Sequence, residues 1–168
     1  MTTLEPVHEH LELHLDGRLG RLILNRPEKL NPLSTGVLLG IESAARQFDS
    51  IRDVRIVVVE GRGRAFCAGA DVSVFTGDPN DELSVRERAD AGRRMAEALE
   101  AMRAVTVARI QGHCVGGGVV LAAGCDMRVA GHSARFSIPE VALGIPLAWG
   151  GGFHDWSVRW APPLRVIW

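Results

Sequence analysis

"VTVARIQGHCVGGGVVLAAGCDMRVAG", residues 105–131, runs from an apolar strand-like segment through three consecutive glycines into an apolar helical stretch and a second short strand. Strand, helix and strand in such close succession predict a crossover between parallel strands. The helix is expected to run from the glycine cluster to about Cys125, with "VTVARI" and "MRVAG" as the flanking strands.

Working outward, "VRIVVVEG" (54–61) is a continuous β-branched run of the kind expected in a strand buried on both faces. It ends in a second glycine-rich loop, "GRGRAFCAGAD" (61–71). Before it, Val37, Leu38, Ile41, Ala44, Ala45 and Phe48 fall on one face at helical spacing, behind Ser34 as a cap. After it, Leu83–Arg103 is charged but keeps a Met95, Ala98, Leu99, Met102 stripe and an Arg93–Glu97 pair four residues apart. "HLELHLDG" and "RLGRLILN" read as two paired strands turning at Asp16 and Gly17. The expected order is ββαβαβαβ, an α/β fold.

His8, His10 and His14 share the parity of one strand face. No Cys or carboxylate completes a metal set with them, so a solvated face is expected.

A chain of 168 residues with 46% hydrophobic and 23% charged residues suits one domain spanning 1–168. A net charge of -1 provides no basic field for nucleic acid or anionic membrane. Cys67, Cys114 and Cys125 are odd in number and lack CxxC spacing, which suits reduced thiols buried as small residues. The N-terminus has no basic region leading into an apolar core, and no apolar run approaches the length of a membrane span. A cytoplasmic location is the expectation.

Glycines between a strand and a helix let a ligand approach free backbone N–H groups. A phosphate loop is disfavoured, because GK[ST] does not follow the glycines and GxGxxG spacing is absent. Gly116, Gly117 and Gly118 could simply permit tight helix packing. With two such loops following strands, donors from both could also converge on one point as an oxyanion hole.

Four fragments now carry a resemblance: "NRPEKLN" (25–31), "GRGRAFCAGAD" (61–71), "QGHCVGGGVVLAAGCDMRVA" (111–130) and "ARFSIPEVALGIPLAWGG" (134–151). In this order and at these separations the chain resembles the enoyl-CoA hydratase/isomerase, or crotonase, superfamily over about residues 10–152. The resemblance implies a crotonase-like spiral of ββα units, assembly as a homotrimer or hexamer, an acyl-CoA thioester substrate and a place in fatty acid metabolism. It implies no metal and no cofactor beyond the coenzyme A of the substrate. Ala70 and Gly117 would donate backbone N–H groups to the thioester oxygen, in a substrate-binding set of Ala68, Gly69, Ala70, Asp71, Gly116 and Gly117. Glu140, in "SIPEVALG", would be the acid/base.

Two departures qualify that picture. Hydratases of this superfamily usually carry a second glutamate three residues beyond the middle glycine, where this chain has Val120. One retained acid resembles instead the isomerase branch, in which a glutamate moves a proton from C2 to C4 of a 3-enoyl thioester. The other departure lies in "GFHDWSVRWAPPLRVIW" (152–168), whose residues 153–168 are an atypical tail with a Pro162-Pro163 break and three of the four tryptophans. The expectation is a fold truncated at the C-terminus. The alternative is a catalytically poor remnant that binds acyl-CoA or a homologous subunit. Asp71 and Asp126 are expected to be structural, while Arg62, Arg64, Arg86, Arg88, Arg93 and Arg94 are candidates for coenzyme A phosphates or solvated faces.

Overall fold

In the alternating run "LELHLD" every second side chain is apolar, and Leu11 and Leu13 are buried while Glu12 and His14 face the other way. This strand, β2 (Leu11–Asp16), turns through Gly17 and Arg18 into the antiparallel β3 (Leu19–Leu24), with Asp16 opposite Leu19. The computed structural model describes residues 1–71, 85–144 and 149. A short β1 (Thr2–Thr3) pairs with the outer edge of β2. Beyond β3 the sheet is parallel, adding β4 (Ile56–Gly61), β5 (Val105–Ile110) and β7 (Met127–Ala130) in that order.

Three crossovers make this parallel order possible. The first carries α1 (Thr35–Ser50), where the Ser34 hydroxyl accepts from the Val37 N–H at 3.3 Å, satisfying a donor the helix leaves free. All six side chains expected on its apolar face are buried, and full burial of Leu38, Ile41 and Phe48 contributes about 2 kcal/mol each. The second carries α2 (Val85–Glu100), packed against α1 through Ala91, Met95 and Leu99, with Ala98 half-buried and Arg93 donating to Glu97 at 2.6 Å. The third contains β6 (His113–Val115) and α3 (Gly117–Ala123). Beyond β7, β8 (Arg135–Ser137) pairs in parallel with β6 in a second small sheet, and α4 (Glu140–Leu143) follows.

The ββαβαβαβ core is therefore present, with β1, β6, β8 and α4 added to it. Two expectations are corrected. Among the described residues, the β-branched run of β4 is covered by helices on one face only. On the other, Ile56 is 42% exposed, and its neighbours Val105, Met127 and Val129 are 44%, 45% and 44% exposed. β-Branching favours an extended backbone whether or not a second layer covers it.

The histidines also differ from the reading of one shared solvated face. His8 and His10 precede β2, and the His8 ring lies against Gly36 and Gly40 of α1 and tilts toward His10. Burial holds the His8 pKa below its ordinary value, and the neighbouring His10 charge adds to this. His14 is on the strand and only 12% exposed, bonded to Glu12 and Thr3. The tail 153–168 and the segment 72–84 lie outside the described residues.

Candidate active site

The first glycine-rich loop leaves β4 at Gly61 and is held by a residue from another motif. Asn31, in "NRPEKLN", has φ +55° and is 1% exposed. Its Nδ2 donates to the carbonyls of Arg62 (2.9 Å), Ala65 (3.0 Å) and Phe66 (3.2 Å), and its Oδ1 accepts from the Arg26 N–H (2.9 Å). Asparagine tolerates the left-handed conformation, and a buried amide satisfied on both sides rigidifies what it touches. Sequence reasoning missed this residue; the available signal was its place inside a recurring fragment.

Residues 66–71 then run between two supports. Phe66 and Cys67 donate to the Gln111 and His113 carbonyls, and Cys67 accepts from Val115; on the other side Ala68 donates to Leu30, Gly69 accepts from Leu33, and Asp71 donates to Leu33. The Ala70 N–H is passed over and has no acceptor among the described residues. Gly69 has φ +97°, and a Cβ there would lie 2.9 Å from the Val115 carbonyl and 3.7 Å from the Gly117 nitrogen, so the two loops touch at this point.

The second loop is the entry to α3. The Gly116 N–H donates to Ser137 at 2.8 Å, while the Gly117 N–H has no acceptor among the described residues. A Cβ at Gly118 would stand 2.8 Å from the Cys67 carbonyl oxygen, which is why the helix can approach the first loop only as glycine. The glycines thus serve close packing and exposed donors together.

Glu140 opens α4 after Pro139, which suits the first turn because it needs no N–H there. Its carboxylate is seated on Gly116: a Cβ there would lie 3.0 Å from Cδ and 3.1 Å from Oε2. Oε2 is buried and has no hydrogen-bond partner among the described residues. The structure thereby brings Glu140, Gly116, Gly117, Gly69 and Ala70 to one place. Val120, one turn into α3, is buried in the apolar core and brings no polar group.

The other candidates have structural partners. Asp71 Oδ2 accepts from Arg26 Nη1 at 3.0 Å. Asp126 Oδ2 accepts from both the N–H and the hydroxyl of Thr106 at 2.8 Å, and its own N–H donates to that hydroxyl, tying the end of α3 to β5. Arg62 reaches Glu12 at 2.6 Å, and Arg94 reaches the buried Glu42 at 2.7 Å. Arg64 and Arg86 are exposed, and the Arg88 side chain lies outside the described residues. Glu60, also unanticipated, is buried between Arg21 and Arg109 at the polar end of the open sheet face.

Cys67, Cys114 and Cys125 are free and buried. Burial pushes the Cys67 and Cys125 thiols up to about 12 and raises Cys114 as well, so none is poised as a nucleophile. Among the described residues no three His, Cys, Asp or Glu side chains gather as a metal site, and no helix is long and apolar enough to cross a membrane.

Known proteins are similar to this chain in sequence and in fold. A crotonyl-CoA hydratase of Syntrophomonas wolfei is 33% identical over 145 residues, covering 86% of this chain and 55% of its own length. The peroxisomal Delta(3,5)-Delta(2,4)-dienoyl-CoA isomerase of Arabidopsis thaliana is 31% identical over 147 residues, covering 82% and 53%. A Thermobifida fusca protein solved in complex with acetoacetyl-CoA superposes with a TM-score of 0.77 at 26% identity, covering 86% and 59%. The chain spans about half the length of the curated relatives it matches. The family model described as enoyl-CoA hydratase/isomerase matches residues 19–154, and the chain belongs to that family.

Proposed function

We propose that this chain binds an enoyl-CoA thioester and moves its double bond, with Ala70 and Gly117 as oxyanion donors and Glu140 as the proton carrier. The observation that carries this reading is the Glu140 carboxylate seated on Gly116, next to the Gly117 N–H, with that N–H and one buried carboxylate oxygen both without a partner among the described residues. Removing a proton from C2 of a 3-enoyl thioester leaves negative charge on the thioester oxygen, which the two N–H groups stabilise. Losing one such donor typically costs about 3 kcal/mol in the transition state. Glu140 holds the proton and delivers it to C4, giving the 2-enoyl product. Water takes no part in this sequence, which agrees with Val120 in the place of a second carboxylate. The chemistry requires no metal or redox group, coenzyme A entering as part of the substrate, and it belongs to fatty acid metabolism.

Exchanging Glu140→Gln keeps the shape of the side chain and removes the base. Isomerisation of 3-hexenoyl-CoA should fall by at least about 100-fold with little change in melting temperature. Unchanged turnover in the variant would remove Glu140 from the mechanism.

A second reading, which Val120 in the place of a second carboxylate also fits, is that the chain binds acyl-CoA or a homologous subunit with little turnover. A ligand-shifted, cooperative melt without any turnover would select it.

A further inference from the structure

Gly36 and Gly40 lie one turn apart on the same face of α1, and the segment that precedes β2 is seated there. A Cβ on Gly36 would stand 2.8 Å from His8 Nε2, and one on Gly40 would stand 3.0 Å from His8 Cβ and 2.7 Å from Leu11 Cδ1. Residues 5–10 therefore cross the start of the helix as a strap. It is tied at one end where the Leu4 N–H donates to the Leu13 carbonyl (2.9 Å), and at the other where the Leu11 N–H donates to the His8 carbonyl (3.0 Å). Between these ties it is held down by the His8 ring on α1 and by the partly buried Val7 against the core.

One hydrogen bond fixes the state of the ring. His8 Nδ1 accepts the His10 N–H at 3.1 Å, so that nitrogen carries no proton and the imidazole is neutral. Protonation would set an N–H against the His10 N–H. It would also bring a positive charge to the first turn of α1, whose free N–H groups already form the positive end of the helix dipole. The charged groups acting on the ring are Glu9 and His10 of its own segment; α1 meets it with Gly36, Gly40 and, nearby, the Ser34 hydroxyl, and β2 with Leu11, none of which titrates. Burial, the larger effect, and the charge of His10 favour the neutral ring. Glu9 favours the proton, but its carboxylate is 80% exposed and lies 3.7 Å from His10.

We propose that residues 5–10 are a pH-sensitive strap, latched on α1 by neutral His8 and opened when His8 takes a proton. The seat is at full strength above the 6.5 of a released imidazole and weakens as pH falls below it, because the open form binds the proton more readily. Opening reaches the candidate active site through the backbone. The His10 carbonyl accepts the Asn25 N–H at 2.8 Å, the Arg26 N–H donates to Asn31 Oδ1, and Asn31 holds the first glycine-rich loop. A proton at His8 thus removes one of the ties on the stretch that carries Asn31.

The test is cleavage of the Glu9–His10 bond in the whole chain by a glutamyl endopeptidase, each rate being divided by that of the free peptide of residues 3–14 at the same pH. Between about pH 7.5 and about pH 5.5 the ratio should rise at least about tenfold. His8→Gln keeps an acceptor and His8→Phe keeps a ring, and neither can take the proton. In both, measured against peptides carrying the same substitution, the ratio should change less than about twofold over that range. A flat ratio in the unmodified chain overturns the latch. So does a rise that persists in either variant, which would place the acid-sensitive group elsewhere.

Discussion

The two loops that meet at Gly69 and Gly117 are held in opposite ways. Residues 62–71 are fixed by hydrogen bonds from the buried Asn31 amide, from Gln111 and from backbone on both sides. Residues 116–118 are fixed by close contact, with the Cys67 backbone, the Glu140 carboxylate and the Trp149 ring each occupying space a side chain would need. One loop depends on polar partners elsewhere in the chain, Asn31, Gln111 and neighbouring backbone; the other depends on having no side chains of its own. Each leaves one backbone N–H, at Ala70 and at Gly117, with no acceptor among the described residues, a state that needs rigid support because free donors otherwise find partners.

The largest effect should come from Asn31→Ala. It leaves three carbonyls and one N–H without their partner and places alanine at a positive φ, for a loss of about 4 kcal/mol by urea denaturation, a large part of a typical domain's stability. A loss below about 1 kcal/mol would mean that the strand-like pairing with residues 111–115 holds the loop by itself. Gly118→Ala ranks second, at about 2 kcal/mol, because the new methyl group meets backbone that cannot rotate away. A variant that melts like the parent would show that α3 can slide off the first loop.

Arg62→Ala should do least, because Asn31 uses the Arg62 carbonyl and the guanidinium only reaches the partly exposed Glu12. The expected cost at neutral pH is about 0.5 kcal/mol. The Arg62 hydrogen bond holds the Glu12 carboxyl below its ordinary value of 4.5, so its stabilising effect is present above that pH and lost as pH falls through the folded-state value. In Arg62→Ala the acid limb of the stability curve should be shallower. An unaltered acid limb would place that pH dependence elsewhere.

Legibility in the sequence followed length and period. The helices α1 and α2 and the six-residue strands β2 to β5 carry enough periodic residues to be read directly. The three-residue strands "HCV" and "RFS" carry no period, so the small sheet that supports the site was not visible. Glu140 was legible only through its motif, since its seat on Gly116 joins residues far apart in the chain. Asn31 was overlooked because a single polar residue between apolar neighbours gives no sign of which carbonyls it will meet. The open face beside Ile56 was misread because a β-branched run specifies a strand and says nothing about what covers it.

The large sheet is laid down in the order in which it is translated, β1, β2, β3, β4, β5 and then β7. A chain emerging from the ribosome can add each strand to the edge formed by the one before, and no strand has to be inserted between two that are already paired. Vectorial synthesis and final topology are thus compatible at every stage. The growing edge is also a hazard, and it stays bare longest between β4, which ends at Gly61, and β5, which begins at Val105, so that interval is the point where a chaperone would matter most.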